Sequence, residues 1–251
     1  MDFEGEYLYD HKIKGKEYIN GELEYEGEYF YDKKFNGKGY DGNGNIIYEL
    51  INGTGKVKEY RYGELIFEGH YLNGKKKGEG KEYKGNRIIY EGDYLNDEWN
   101  GRGKEYNLGR LIYEGEYLQG KKNGKGKEYN RDGQIIYEGE YLDGEKNGKG
   151  KEYNINGQLI YEGEYLSGKK WNGKIKEYFF NGNLQFDGEY LKGEKNGKEY
   201  NLNGNLTFEG NYFKGKQWNG KIKEYNPFKG NLIFEGEYLK GKKMEKEKNM
   251  I

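Results

Sequence analysis

The hexapeptide Tyr113-Glu114-Gly115-Glu116-Tyr117-Leu118 returns unchanged at Tyr137–Leu142 and Tyr161–Leu166, and with phenylalanine first at Phe234–Leu239. Its central glycine recurs at Gly5, Gly27, Gly69, Gly92, Gly115, Gly139, Gly163, Gly188, Gly210 and Gly236. Between Gly27 and Gly69 stands one degenerate copy, Tyr48-Glu49-Leu50, with leucine in the glycine position. Apart from the interval from Gly27 to Gly69 that holds this copy, neighbouring glycines are 22 residues apart at the closest (Gly5 to Gly27) and 26 at the widest (Gly210 to Gly236). About eleven units at that period specify a repeat array, in which no unit encloses a core alone and each buries its apolar side against its neighbours.

Each unit divides into two strands and two turns. In the first strand Leu111, Tyr113, Gly115 and Tyr117 fall on one face by period-two alternation, and Ile112, Glu114, Glu116 and Leu118 on the other. The second strand covers about Lys125 to Asn130, beyond the glycine-rich stretch Gln119 to Gly124. The link Asn130 to Gln134 carries an Asp-Gly pair suited to a tight hairpin, and Asn156-Gly157 and Asn203-Gly204 stand at the same place in later units. Two strands and two turns leave no room for a helix. The expectation is all-β: an elongated, single-layer antiparallel sheet of about eleven tandem hairpins, solenoid-like. At about 4.8 Å per strand it would be on the order of 100 Å long. The array is expected over residues 1–240, with a degenerate unit near 46–60 and a charged tail at 241–251 that lacks strand alternation.

Composition fits this thin architecture. Only 33% of the 251 residues are hydrophobic and 35% are charged, with a mean hydropathy of −1.27, which is too polar for a thick core. Such values alone would suggest disorder. The 29 tyrosines in regular register point instead to an ordered chain, because a tyrosine ring can be buried while its hydroxyl stays wet. Alanine is missing and proline occurs once, consistent with an A/T-rich genome, yet 44 glycines remain. Structure, rather than codon usage, is expected to hold them. The Tyr–Gly–Tyr face is the expected packed face, with an aromatic ring from a neighbouring strand lying flat over each glycine. Gly126 gives way to Val57, Ile175 or Ile222 in other units, so that position should share the packed side. Tyr129 then points away by strict alternation unless a bulge returns it, and both options stay open.

The pattern YEGEYxxGxxxGxG, as at Tyr113 to Gly126, resembles the MORN repeat, a short β-hairpin unit, over nearly the whole chain. The Asn-Gly-x-Leu-Ile lead-in at Asn156 to Ile160 is similar to a MORN variant. The resemblance implies a single-layer sheet serving as scaffold, dimerising or adaptor module, sometimes linked to phospholipids. It implies no catalysis by the repeats.

The residues themselves point away from an enzyme. Glu114 and Glu116 share a face like the carboxylate pair of a glycosidase, but the same pair recurs at Glu4/Glu6, Glu26/Glu28, Glu138/Glu140, Glu162/Glu164 and Glu235/Glu237. A motif repeated along the array reads as a solvated, ion-paired face, with Lys125 and Lys127 as cross-strand partners. His11 and His70 are too far apart in the array for a metal or triad site, and the chain has no cysteine. Gly124-Lys125-Gly126 lacks the spacing of a phosphate loop. No catalytic residue, cofactor, metal or small-molecule substrate is expected. A net charge of −1 argues against nucleic acid as a partner.

Two features remain as candidate contacts. Lysines cluster at the hairpin tips, including Lys75, Lys76, Lys121, Lys122, Lys169 and Lys170. They form either a basic rail for an anionic membrane surface or a solubilising fringe. Trp99, Trp171 and Trp218, read as occupying the same turn position in three units, are either partner contacts or covers for a turn glycine. The structural aromatic and glycine face is assigned to Tyr113, Gly115, Tyr117, Tyr137, Gly139, Tyr141, Tyr161, Gly163 and Tyr165. The expected role is a non-enzymatic scaffold for protein–protein interaction or self-association through that face and through open strand edges. The alternative is a peripheral tether binding anionic phospholipids. With neither a leader nor a 20-residue apolar run visible, a cytoplasmic location is expected, or a peripheral one at a membrane or the cytoskeleton.

Overall fold

The computed structural model describes residues 2–245, and every regular element in them is a β-strand. Two compact units divide the chain, Met1–Gly133 and Gln134–Ile251. The first holds β1 (Asp2–Leu8), β2 (His11–Ile19), β3 (Glu22–Phe30), β4 (Lys33–Tyr40), β5 (Ile46–Leu50), β6 (Gly55–Arg61), β7 (Glu64–Leu72), β8 (Lys75–Lys84), β9 (Arg87–Leu95), β10 (Glu98–Asn107), β11 (Arg110–Leu118) and β12 (Lys121–Tyr129). The second holds β13 (Ile135–Leu142), β14 (Glu145–Tyr153), β15 (Leu159–Leu166), β16 (Lys169–Tyr178), β17 (Leu184–Leu191), β18 (Glu194–Tyr200), β19 (Leu206–Phe213), β20 (Lys216–Tyr225), β21 (Leu232–Leu239) and β22 (Lys242–Glu245). Within each unit the strands pair antiparallel in sequence order. Among the described residues no ladder closes either unit into a barrel. The all-β hairpin array expected from the repeat is the fold observed.

The expected continuous meander is interrupted once. In the first unit β1–β5 form their own five-stranded sheet, and β6 begins another. The degenerate copy causes the break. Its connection from Leu50 to Gly55 is cut to Ile51–Thr54, which close only an isolated bridge, Ile51↔Thr54. Leu50, which stands in the glycine position, is 1% exposed. Within the charged tail expected from 241, Lys242–Glu245 forms a short strand that pairs with β21 in the register Gly236↔Glu245 to Leu239↔Lys242. The rest of the expected tail lies outside the described residues.

The packed face is built as the alternation predicts. Tyr25, Phe67, Tyr90 and Tyr113 in the first unit, and Tyr137, Tyr161, Phe186 and Phe208 in the second, are 0–1% exposed. Each of these rings, at the first position of the hexapeptide, lies over its own strand. A Cβ on Gly115, two residues on, would strike the Tyr113 hydroxyl, and so would a Cβ on its cross-strand partner Gly126. This corrects the expected source of the covering ring. Gly115 is covered from its own strand, and only Gly126 from the neighbour.

The fifth-position aromatic then wedges between repeats. Tyr94 meets Tyr90 edge-on at 5.5 Å and Phe67 of the preceding repeat at 5.4 Å. In the second unit Tyr165 does the same with Tyr161 at 5.1 Å and Tyr137 at 5.4 Å. Such edge-to-face pairs contribute roughly 0.5–1.5 kcal/mol each beyond area burial. The core of each unit is therefore a zipper of aromatic rings one side chain deep.

Candidate functional site

One residue of the first strand leaves the face expected of it. Glu105 stands opposite Tyr113, but Tyr106 stands opposite Leu111, so Ile112 is the extra residue of a bulge. Leu111 thereby joins the face of Glu114 instead of the tyrosine face. The same register answers where the Tyr129-type tyrosines lie. Tyr106, Tyr129 and Tyr153 point to the outer face and donate to Glu91, Glu114 and Glu138. Partial burial, then the bond to Glu91 or Glu138, pushes the hydroxyls of Tyr106 and Tyr153 up to about 12. Ion pairs Lys104–Glu91 (3.8 Å) and Lys151–Glu162 (3.3 Å) share this face, and Lys127 stands opposite Glu114 in the ladder. Exposed pairs of this kind are worth at most about 1 kcal/mol.

The glutamate of each Lys-Glu-Tyr turns inward, which the face assignment by sequence did not register. Its signal was available: Glu128 is two residues from Gly126 and so shares its face. Tyr117 donates to Glu105 at 2.7 Å and Tyr71 to Glu59, each reaching back to the preceding repeat. Burial, then Glu105, raises the Tyr117 hydroxyl far above its ordinary value. For Glu152 burial favours the neutral acid, but Lys170 at 2.7 Å outweighs it and holds the carboxyl below its ordinary value. Glu17, 6% exposed, is likewise held low by Lys34 and Lys12 against its burial.

These inner carboxylates reorganise the tip lysines. Lys76, Lys122 and Lys170 fold onto the aromatic face, with Nζ 4.0, 4.1 and 4.9 Å from the ring centroids of Phe67, Tyr113 and Tyr161. They keep only 18, 23 and 23% of their side chains exposed. Of the six lysines assigned to a basic rail, three are therefore cation–π and ion-pair partners inside the repeat. Lys121 and Lys169 are exposed and Lys75 is half-buried.

The tryptophans do not share one position. Trp99 stands opposite Tyr94, where Lys122 stands opposite Tyr117 in the next hairpin. It stacks on Tyr90 at 4.1 Å with the rings 2° from parallel. Trp171 and Trp218 come one residue later, after Lys170 and Gln217, which take that slot opposite Tyr165 and Tyr212. Their indoles lie 3.5 and 3.2 Å from where a Cβ on Gly193 and Gly241 would sit. Their carbonyls accept from the same two glycine N–H groups at 2.8 and 2.9 Å. Trp171 and Trp218 are covers over the turn glycine of the following repeat.

The last residue of each hexapeptide is among the large apolar side chains that stay exposed, beside turn residues such as Leu108, Phe180 and Phe228. In the first unit Leu72, Leu95 and Leu118 range from 38 to 52% exposed, and in the second Leu142, Leu166, Leu191, Phe213 and Leu239 from 45 to 56%. Each lies on the outer face by alternation, and Leu118 faces Lys121 across the hairpin. Of the nine assigned positions, the six tyrosines from Tyr113 to Tyr165 are at most 4% exposed and offer no ring to a contact surface, while Gly115, Gly139 and Gly163 are half-buried. His11 bonds Asp32 while His70 stands opposite Lys56, and among the described residues no cluster of three or more metal-ligating side chains occurs. Among them, too, no helix is long and apolar enough to cross a membrane.

No family model matches the chain, and no curated protein does. Among solved structures it is similar to the crystal structure of TcdB2-TccC3-Cdc42 at 12% identity and a TM-score of 0.21, covering 94% of this chain and 12% of that one. It is similar also to the crystal structure of TcdB2-TccC3 without its hypervariable C-terminal region, at 12% identity and a TM-score of 0.20, covering 90% of this chain and 12% of that one. The chain thus spans about an eighth of the length of either, at a likeness that carries no argument about fold or function.

Proposed function

We propose that the chain is a non-enzymatic, cytoplasmic scaffold of MORN type that binds protein through the outer leucine row at its hairpin tips. The observation that carries this reading is the division of side chains. The tyrosines, glutamates and lysines of the packed face are engaged within and between repeats, whereas the leucine closing the hexapeptide is left about half exposed on the outer face at a regular spacing. Two strands separate successive copies, so the row repeats about every 9.6 Å. Regularly spaced exposed apolar groups mark interaction surfaces. The test is light scattering over a concentration series together with cross-linking in the source cells. The expected result is a complex that Leu118→Ser, Leu142→Ser and Leu166→Ser together abolish while the melting temperature holds. A monomer at every concentration that cross-links to nothing overturns the reading.

A second reading, the anionic-membrane tether, draws on the pairing of Leu118 with Lys121, an apolar group beside a cation at the same edge. Sedimentation with phosphatidylserine vesicles decides it. Salt-sensitive binding would select the tether, since a lysine contact is electrostatic.

A further inference from the structure

Two hairpin tips in the first unit carry a residue that their backbone disfavours. The tip between β1 and β2 has Tyr9 at φ 49° and Asp10 at 63°, and the tip between β3 and β4 has Tyr31 at 50° and Asp32 at 61°. Both central residues of such a turn are left-handed, which suits asparagine and glycine and penalises an aromatic side chain. Later tips keep to that preference, with Asn73-Gly74, Gln119-Gly120 and Ser167-Gly168 in the same two places. The fold accounts for Asp32, which bonds His11 Nδ1 at 2.5 Å and accepts the Lys12 N–H at 2.7 Å, tying the two tips together. The tyrosines have no such duty. Tyr9 is 88% exposed and Tyr31 71%, and neither ring covers a glycine or enters the zipper of the packed face. A strained residue that the fold does not use points to a use at the surface.

The two tips form one aromatic surface. Tyr31 stands edge-on to Phe30 at 4.7 Å and to His11 of the first tip at 6.1 Å. Phe30 and its counterpart Leu8 are themselves 60 and 55% exposed. The spacing selects what can lie across them. Equivalent side chains of successive hairpins stand two strands apart, about 9.6 Å, so a ligand crossing both tips must present the same face at that interval. A polyproline II segment does so every three residues, about 9.3 Å. A β-strand repeats its face every two residues, about 6.8 Å, and an α-helix at about 5.4 or 10.8 Å. The chemistry agrees with the spacing. The carbonyls of a polyproline II segment have no partner within it, so tyrosine hydroxyls can donate to them while the aromatic faces receive its prolines.

We propose that the tips of the first two hairpins are a docking site for a proline-rich segment of a partner protein, laid across Tyr9 and Tyr31 with Leu8 and Phe30 beside them. The proposal rests on the scaffold reading, to which it gives a class of partner. Its residues are distinct from Leu118, Leu142 and Leu166, so the two readings fail separately.

The test is a titration of the whole chain, followed by amide chemical shifts, with a blocked nonaproline peptide and a glycine–serine peptide of the same length. The expected result is saturable shifts confined to the tips around Tyr9 and Tyr31 with nonaproline, unchanged by added salt because the contact is uncharged, and missing with the glycine–serine peptide. Tyr9→Asn and Tyr31→Asn install the residue that Asn73 supplies at a later tip. Each should hold or raise the melting temperature, since asparagine accepts a left-handed backbone more readily, while weakening binding about tenfold, the loss of one aromatic anchor. A fall in melting temperature in both variants would make the tyrosines supports of the fold and overturn the proposal. Shifts at the same tips that follow protein concentration without peptide would assign the surface to a second copy and overturn it too. So would no saturable shift at about 1 mM nonaproline, equal binding of the glycine–serine peptide, or unchanged affinity in both variants.

Discussion

At Gly139 three groups already occupy the place a side chain would take. They are the Tyr137 hydroxyl, the Gly150 Cα at 2.7 Å and the Lys149 carbonyl oxygen at 2.7 Å. Two of the three are backbone and cannot rotate away. Gly139→Val should therefore destabilise by about 3 kcal/mol, the upper range for forcing atoms into a packed site. Its neighbour Glu140 accepts the Lys149 N–H at 2.8 Å through Oε2. A glutamine can accept the same bond, so Glu140→Gln should stay within about 0.5 kcal/mol. Melting curves of the two variants decide the point, and equal midpoints would remove the covering ring from its role. Glu152 makes the complementary case for a charged residue. Its folded carboxyl lies below the ordinary value because Lys170 outweighs burial. Its contribution is therefore present above the unfolded value of about 4.3 and fades as pH falls through the lower folded one. The melting-temperature gap between the native chain and Glu152→Gln should be constant above about pH 5 and shrink below about pH 4. A gap independent of pH would mean Lys170 does not pair with the carboxylate.

Between elements, the repeats are joined at their tips by single side-chain acceptors. Asn172 Oδ1 accepts the Lys192 N–H at 2.9 Å, Asn219 Oδ1 accepts Lys240 N–H at 2.8 Å, and Asp97 accepts Lys76 N–H at 2.8 Å. Each bond ties one hairpin tip to the next. Asn172→Ala removes one such bond together with the exposed bond its Nδ2 donates to Glu164 at 3.0 Å, and should cost about 1 kcal/mol, or a fall of roughly 2–4 °C in melting temperature. A change beyond about 3 kcal/mol would show that Asn172 also holds the tip conformation of its own strand. The strands, their pairing order and the tyrosine face were all legible in the hexapeptide period. The inner place of Glu105 and Glu152 was legible too, two residues beyond Gly103 and Gly150. Two things were not, and each depends on a register that composition and alternation do not carry. The bulge at Ile112 moves Leu111 to the outer face. The two tip lengths, Lys122-Asn123-Gly124 against Lys170-Trp171-Asn172-Gly173, put Trp99 in a lysine slot and Trp171 one step beyond it.

Across the whole chain, 29 tyrosines carry much of the apolar burial, and this makes alkaline pH the condition under which the fold as a whole should give way. Burial raises the folded-state hydroxyls, and nearby carboxylates add to it, to about 12 for Tyr106 and Tyr153 and higher still for Tyr117 and Tyr165. An unfolded tyrosine ionises at about 10. The folded state therefore binds protons that the unfolded state has released. Each such tyrosine contributes stability that is complete below about pH 10 and declines as pH rises toward its folded value. Because the rings interlock from one repeat to the next, as Tyr94 does between Tyr90 and Phe67, ionising one opens the place of its neighbours. The expected result is a stability that is flat up to about pH 9 and then falls. Phenolate absorbance and loss of the β-sheet circular-dichroism signal should rise together in one transition. Tyr153→Phe keeps its ring but removes an outer hydroxyl, and should lessen the slope of stability against pH above about 10 without altering the cooperativity. Tyrosines that ionise one by one while the sheet signal persists would show that the rings are not the common support of the repeats.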